Sequence, residues 1–259
     1  MIHLKTLAEI DLIALGGRII GDLLQALPAK IEPGVTTQDL DEFCESFIRS
    51  TEGAVPAFQG LYGFPGAVCI SLNEEVVHGI PSRECVLEEG DVVTVDVGVR
   101  FKGWCSDSAW TFPVGRIDSR TEELLDATRT ALDHAIRAAV VGNHIGDIGA
   151  AVEGVIRGTG FGIIRDLVGH GVGRDVHEEP QVPNTGRPGQ GPLLREGMVL
   201  AIEPMISGGA ERTRTLEDRW TVVTSDGTRA AHFEHTVAIT ASGPRVLTTP
   251  EPVGAPTTA

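Results

Sequence analysis

Apolar residues recur at helical spacing at Ile10, Ile13, Ile20, Leu23, Leu24 and Leu27 until Pro28 closes the run, and Thr6 followed by Glu9 forms a capping box ahead of it. This predicts a first amphipathic helix. A second follows the turn IEPGV, capped by Thr36 or Thr37, with Leu40, Phe43, Phe47 and Ile48 on one stripe. From 54 to 81 the helical period disappears and Gly, Pro and aromatic residues accumulate, so the stretch reads as loop and strand. Within it AVCISL has the pattern of a buried strand. NEEVVHGIP ends in a Gly and a Pro that hold His78 on an ordered turn.

The next stretch, DVVTVDVGVRFKGWCSDSAWTF from Asp91 to Phe112, organises the chain. Val92 to Gly98 alternates and is rich in β-branched residues, a glycine-bearing turn follows, and Trp104 to Phe112 resumes a strand-like pattern. A hairpin symmetric about Phe101 and Lys102 sets Asp96 directly opposite Asp107, since facing residues share a face. Like charges about 5 Å apart destabilise such a pair. Either both are solvated on an exposed face, or a divalent cation compensates them.

The order then repeats. Ser119 and Glu122 form a capping box for a helix through Leu124, Leu125, Thr128, Leu132 and Ile136, and Asp147 caps another through Ile148, Val152, Val155 and Ile156 that Gly158 stops. Strand-like sequence follows from FGIIRDLVGHGVG onward. Helix, helix, strands thus occurs near 6 to 112 and near 119 to 240, a weak internal duplication with little residue identity behind it. Gly169, Gly171 and Gly173 surround His170 and let backbone approach a ligand closely, but the spacing is not that of a nucleotide fingerprint. His177 stands before Glu178, Glu179 and Pro180. Met198 to Ile202 is a short apolar strand that delivers Glu203 and is stopped by Pro204. Trp220 to Val223 and Ala230 to Thr240 read as a second hairpin about the turn SDGT, with His232, Glu234 and Thr236 on one face. From Thr248 the tail TPEPVGAPTTA reads as loose.

Composition narrows the class. A chain of 259 residues makes one large domain or two small ones, and one is favoured, over 1–247, with a flexible tail over 248–259. Hydrophobic residues at 41% and charged residues at 22% describe an ordinary globular protein. The net charge of −15, with no run of Lys and Arg, removes the basic footprint a nucleic-acid partner needs. Cys44, Cys69, Cys85 and Cys105 contain no CxxC pair and no signal peptide precedes them, so free thiols and a cytoplasmic location are expected. No uninterrupted apolar run approaches membrane-spanning length.

Asp96, Asp107, His170, Glu203 and Glu234 together offer four carboxylates and one imidazole on strands or adjoining turns. Five ligands exceed the needs of one zinc and suit a two-metal site bridged by carboxylates, with Mn, Fe, Co or Zn favoured by mixed O and N donors. The words NEEVVHGIP, GDVVTVDVG, GHGVGRDVHEEP, AIEPM and HFEHT, in this order, resemble the type I methionine aminopeptidases. The resemblance runs from the first helix to about Leu247. The distance from His170 to Glu203 leaves no room for the helical insertion of type II enzymes, and no N-terminal zinc-binding extension is present, as in the short bacterial form.

The resemblance implies an α+β fold of the pita-bread kind, two pseudo-symmetric halves around a dinuclear metal site, and a metal-dependent aminopeptidase that removes N-terminal methionine before a small second residue. By motif, Asp96, Asp107, His170, Glu203 and Glu234 become the metal ligands, and His78 and His177 become histidines free of metal that face the substrate. Glu203 is implied to take a proton from the attacking water and pass it to the leaving amine, His177 to donate to the developing oxyanion, and His78 to hold the scissile amide nitrogen. The methionine pocket falls on Phe58, Leu61, Phe64, Cys69, Val176 and Trp220, an apolar lining suited to a thioether. Three positions depart from the family, which has cysteine in place of Phe58, tyrosine in place of Leu61 and phenylalanine in place of Val176. The implied partners are the N-terminal methionine of nascent polypeptides and, transiently, the ribosome, for a monomer without membrane or sequence-specific nucleic-acid contacts.

Two rivals share the fold. Aminopeptidase P and prolidase usually carry a long N-terminal domain that this chain lacks and do not have EVVHGIP. Catalytically dead relatives that bind partners have lost ligands, whereas all five stand here.

Overall fold

The computed structural model describes residues 1–250 and shows the expected repetition. Its first half runs α1 (Leu7–Ala26), α2 (Thr37–Arg49), β1 (Ala54–Pro56), β2 (Cys69–Leu72), β3 (Glu75–Val77), β4 (Val92–Phe101) and β5 (Trp104–Pro113). The second runs α3 (Ser119–Ala138), α4 (Ile145–Ile156), β6 (Gly162–Ile163), β7 (Val168–Gly171), β8 (Glu178–Pro183), β9 (Val199–Ile202) and β10 (Met205–Ser207). It ends with β11 (Thr213–Thr215), β12 (Val222–Thr224), β13 (Ala230–His232), β14 (His235–Thr240) and β15 (Gly243–Val246).

The helix starts follow side-chain chemistry. Thr6 with Glu9 and Thr36 with Asp39 form the capping boxes of α1 and α2. In the second half the caps lie elsewhere than expected. Asp118, not Ser119, caps α3, its carboxylate accepting from Thr121 N at 3.0 Å. Asp147 lies three residues inside α4 and reaches back to accept from His144 N at 2.7 Å. A carboxylate accepts two donors and carries a charge favoured at a helix start, so it displaces a neighbouring hydroxyl from the task.

Each helix pair covers one face of a sheet, and strand parity decides what the other face holds. Val93, Val95, Val97 and Val99 of β4 pack with Ile20, Leu23, Leu24, Leu40 and Ile48 of α1 and α2, which turns Thr94, Asp96 and Gly98 to the opposite face. In the second half Leu200 and Ile202 of β9 and Val237 and Ile239 of β14 pack with Leu124, Leu132, Ile148 and Val152 of α3 and α4. Val199 and Ala201 face away, and Glu203, two residues on, continues that inner side.

The first half's main sheet has β4 paired with β5 along one edge and with β1 and β2 along the other, and the second half's runs β15-β14-β9-β7-β8. A seam of buried hydrogen bonds joins β5 to residues 232–236. Thr236 Oγ1 accepts from Asp107 N at 3.0 Å and donates to Asp107 O at 2.7 Å; Thr111 Oγ1 accepts from His232 N at 2.8 Å and donates to His232 O at 3.0 Å. Between them Ser108 Oγ donates to Glu234 O, and Glu234 N to Ala109 O at 2.8 Å. The seam satisfies backbone groups that would otherwise be buried unpaired, and it fixes Asp107 beside Glu234.

Three further expectations are corrected. The β4–β5 ladder pairs Asp96 with Ala109 and Asp107 with Gly98, not Asp96 with Asp107, because the turn is the two-residue Lys102-Gly103 with φ of 50° and 79°. Both central residues of the tight turn that matches strand twist need positive φ, and Gly103 supplies one of them without strain. The slip displaces the partner by two residues, so both aspartates keep one face as diagonal neighbours. Second, β12 and β13 do not form a hairpin. The SDGT turn is present, with Asp226 accepting from Thr228 N at 3.1 Å, but β12 pairs with β3 and β11, while β13 pairs with β10. Third, Thr248 is buried rather than loose: its hydroxyl accepts from Thr236 N at 3.2 Å and bonds His235 Nδ1 at 2.8 Å. The rest of the expected tail from 251 lies outside the described residues.

Candidate metal centre

The inner faces meet in a cavity of about 540 Å³. Asp96 and Asp107 come from the hairpin, His170 from β7, Glu203 from the end of β9, and Glu234 from the link between β13 and β14. All five expected ligands line this cavity, with His78, His177 and the pocket residues Phe58, Leu61, Phe64, Cys69 and Trp220. Val176 does not line it. It is buried in the apolar cluster behind the wall, with Phe58, Phe64 and Cys69.

Local structure aims each group. His170 is paired through the backbone with Ala201, its Nδ1 lies 2.9 Å from Gly171 O, and Nε2 faces the carboxylates, 3.7 Å from Asp107 Oδ2 and 3.6 Å from Glu203 Oε1. A backbone partner on Nδ1 fixes the ring and leaves Nε2 as a free donor atom, the usual preparation of a histidine ligand. Glu203 is held by Asn184, whose Nδ2 donates to its carbonyl at 3.0 Å. His78 has φ of 61°, so the turn after β3 carries it in a left-handed conformation that non-glycine residues adopt at an energetic cost.

The electrostatics of the cavity floor demand a countercharge. Burial pushes Asp96 up to about 7 and Glu203 up to about 8, and holds Asp107 and Glu234 well above the usual carboxylate range, with further upward contributions from neighbouring carboxylates at Asp96, Asp107 and Glu234. Burial likewise lowers His170 and His232 to about 4, so both imidazoles are neutral at pH 7. Buried Asp96 Oδ1, Asp107 Oδ1 and Glu234 Oε1 have no hydrogen-bond partner. Four clustered carboxylates with orphaned oxygens and a neutral imidazole fit divalent cations, which take hard oxygen and nitrogen donors and remove the charge repulsion. Two overlapping sets have donor atoms within 4.8 Å of one another: Asp107, His170 and Glu234, and Glu203, His232 and Glu234.

His232 is the member that the sequence did not assign. Fully buried, with no hydrogen-bond partner on either ring nitrogen, it places Nε2 3.4 Å from Glu203 Oε2 and 4.0 Å from Glu234 Oε2. Its signal was a polar residue inside the buried run Ala230, Ala231 and Phe233. Tyr62 was also missed. It stands exposed at the rim with φ of 50°, its ring stacked at 6.1 Å on His177, which in turn meets His170 edge-on at 4.5 Å.

The wall is apolar and braced by rings. Phe64 meets Trp220 edge-on at 5.2 Å, and His78 meets Trp220 edge-on at 6.4 Å. Phe58 occupies space opened by Gly98, where a Cβ would come within 2.5 Å of its ring. A residue without a side chain at the partner of Asp107 is what admits an aromatic ring so close to the acidic floor.

The family model of metallopeptidase family M24 matches residues 11–241. The chain belongs to metallopeptidase family M24. Among curated relatives of this M24 chain, the methionine aminopeptidase of Clostridium perfringens is 49% identical over 248 residues, 96% of this chain and 99% of that one. Methionine aminopeptidase 1 of Bacillus subtilis is 45% identical over the same shares. Among solved structures, methionine aminopeptidase from Thermotoga maritima superposes with a TM-score of 0.94 at 45% identity, covering 96% of this chain and all of that one. Prolidase from Pyrococcus furiosus matches with a TM-score of 0.77 at 25% identity, and this chain covers 66% of it. The M24 chain therefore has the pita-bread fold expected from its motifs, and it is a metallopeptidase that uses divalent metal. Its four cysteines are free, and no helix among the described residues is long and apolar enough to cross a membrane.

Proposed function

We propose that this chain removes the N-terminal methionine from nascent proteins and peptides, preferring a small second residue, as one catalytic domain over 1–247. The observation that carries the reading is the junction of two surfaces in one cavity: an acidic floor of Asp96, Asp107, His170, Glu203 and Glu234 directly below an apolar wall of Phe58, Leu61, Phe64, Cys69 and Trp220. The curated relatives named methionine aminopeptidase, matched over nearly their full length, support it.

In this reading the five floor residues hold two divalent ions drawn from Co, Mn, Fe or Zn. When bound, such ions would supply Lewis acidity, lowering the pKa of water and polarising a peptide carbonyl. Glu203 accepts the proton of the attacking water and delivers it to the leaving amine. His177, at the mouth beside His170, donates to the carbonyl oxygen as charge develops there. His78, half-buried between the floor and Trp220, hydrogen-bonds the scissile amide nitrogen. The thioether of methionine enters between Phe64, Cys69 and Trp220, where an apolar and polarisable group gains most. A bulky second residue would displace the carbonyl from His177, and small misplacements are costly. The reading includes a monomer acting in the cytoplasm with transient ribosome contact.

The test is kcat/KM across a Met-X-peptide series in the metal-supplemented enzyme, with Ala-Pro and Leu-X peptides as controls. Met-Gly, Met-Ala and Met-Ser starts should be cut efficiently and Met-Leu, Met-Lys and Met-Arg poorly. Faster cleavage of Ala-Pro than of Met-Ala would assign the chain to the proline-specific branch, and equal rates for Met-Ala and Met-Arg would remove the steric limit.

A further inference from the structure

Lys5, which precedes the first helix, is buried, its side chain 4% exposed, and its ammonium meets Glu178 Oε2 at 2.7 Å across 173 residues of sequence. A lysine is rarely buried unless paired, and Glu178 is the residue that follows His177. The other oxygen of Glu178 closes the loop that carries His177: Oε1 accepts from Arg174 N at 2.7 Å and from Asp175 N at 3.4 Å. Burial raises the carboxyl of Glu178, but Lys5 and these backbone donors outweigh it and hold the group below its ordinary value, so it is ionised. The packing is close. A Cβ at Gly173 would lie 2.3 Å from Glu178 Oε1 and 2.7 Å from Lys5 Cε, while Gly173 itself accepts from Cys105 N at 2.8 Å. Lys5 is fixed in turn by its own N–H, which donates to Gly197 O at 2.7 Å.

We infer that Lys5 is a positioning residue for His177. Its ammonium neutralises the carboxylate around which the 173–178 loop is folded, and so holds the imidazole at the cavity mouth. Without the ammonium, a buried carboxylate with no countercharge is strongly unfavourable, so Glu178 turns to solvent and releases the two N–H groups that close the loop. His177 then loses its place beside His170, while the four floor carboxylates, carried by β4, β5, the end of β9 and the β13–β14 link, lie on other segments. The inference rests on the role proposed above for His177.

The test is a double-mutant cycle of Lys5→Met with His177→Ala, measured on a Met-Ala peptide with the metal-loaded full chain. Lys5→Met should lower kcat about tenfold or more with KM within about twofold and bound metal per chain unchanged, and Lys5→Arg should restore most of the rate. In the His177→Ala background Lys5→Met should change nothing further, since the group it positions is gone. An equal loss in both backgrounds would make the ion pair a general structural contact and overturn the inference, as would a Lys5→Met enzyme with unchanged kcat. If Lys5→Met does not fold, Glu178→Gln, which keeps the acceptor oxygen and removes the charge, takes its place in the same cycle: a loss confined to the His177 background supports the inference, and an equal loss in both overturns it. A His177→Ala enzyme with full activity would instead reject the role of His177, a result distinguishable from failure of Lys5 alone.

Discussion

The floor and the wall of the cavity are built by opposite physics. The floor consists of ionisable groups placed by sheet register and by the buried seam between Asp107–Thr111 and His232–Thr236, with buried oxygens left unpaired. The wall consists of apolar groups on short segments and turns, with Tyr62 and His78 at positive φ and Leu61 and Trp220 partly exposed. The floor is over-determined by backbone, and its buried carboxylate oxygens lack protein partners, which suits cation binding. The wall is satisfied by packing alone and can change its residues without changing the reaction. Of the departures that the resemblance implies, Phe58 and Leu61 fall on this wall and Val176 behind it, and none falls on a floor carboxylate.

The sharpest way to break the contrast is to delete a floor residue. Asp107→Ala or Glu203→Ala should lower turnover by about a thousandfold or more while the far-ultraviolet spectrum stays native, because the helix pairs pack without those side chains. A folded variant with near-normal turnover would show that the floor is not the reaction centre. Next in size are the histidines at the boundary. His177→Ala and His78→Ala should each slow turnover about a hundredfold with bound metal unchanged, and loss of metal in either would make that residue a ligand. On the wall, Trp220→Ala should raise KM for Met-Ala peptides and lower kcat/KM about tenfold with kcat little altered, the pattern of lost uniform binding. A fall in kcat matching that in kcat/KM would place Trp220 in the chemistry instead.

A smaller effect tests the charge of the floor through stability. Carboxyls raised in the folded chain contribute stability that is full below their ordinary value of about 4 and is lost as the pH climbs from there through about 7 for Asp96 and about 8 for Glu203. The depressed histidines act oppositely but elsewhere: His170 and His232 contribute stability above about 6.5 that is lost as the pH falls towards 4, so above pH 7 they are nearly flat. The melting temperature of the metal-stripped chain should therefore fall from pH 7 to 8.5, and Asp107→Asn should flatten the decline. A melting temperature that rises over this range would contradict the burial of four repelling carboxylates.

Much of the floor was legible because its signals survive small errors. Asp96 and Asp107 were placed on one face by parity, and the observed register, slipped by two residues, preserves parity where a slip by one would have destroyed it. Glu203 was legible as a charge ending an apolar run, and the helix-helix-strand duplication as two repeats of period and cap. His232 was not assigned, because its role depends on the seam that binds its backbone to Thr111, a contact between residues 121 apart in sequence. The false hairpin at 220–240 failed for the same reason: a genuine local turn was read as a pairing, while Asn73 O, accepting from Ala230 N, draws the second strand away. Local chemistry reveals turns and faces, and distant partners decide which strands meet.

The most direct measurement is a titration of the metal-stripped chain with a divalent ion, following ions bound per chain and methionine released from a Met-Ala peptide in the same samples. Release should be near zero without ion, rise with occupancy of the floor to at most two ions per chain, and return to zero with excess chelator. Near-normal release by the metal-stripped chain, or release unaffected by filling the floor, would contradict a metal-dependent reaction at this floor.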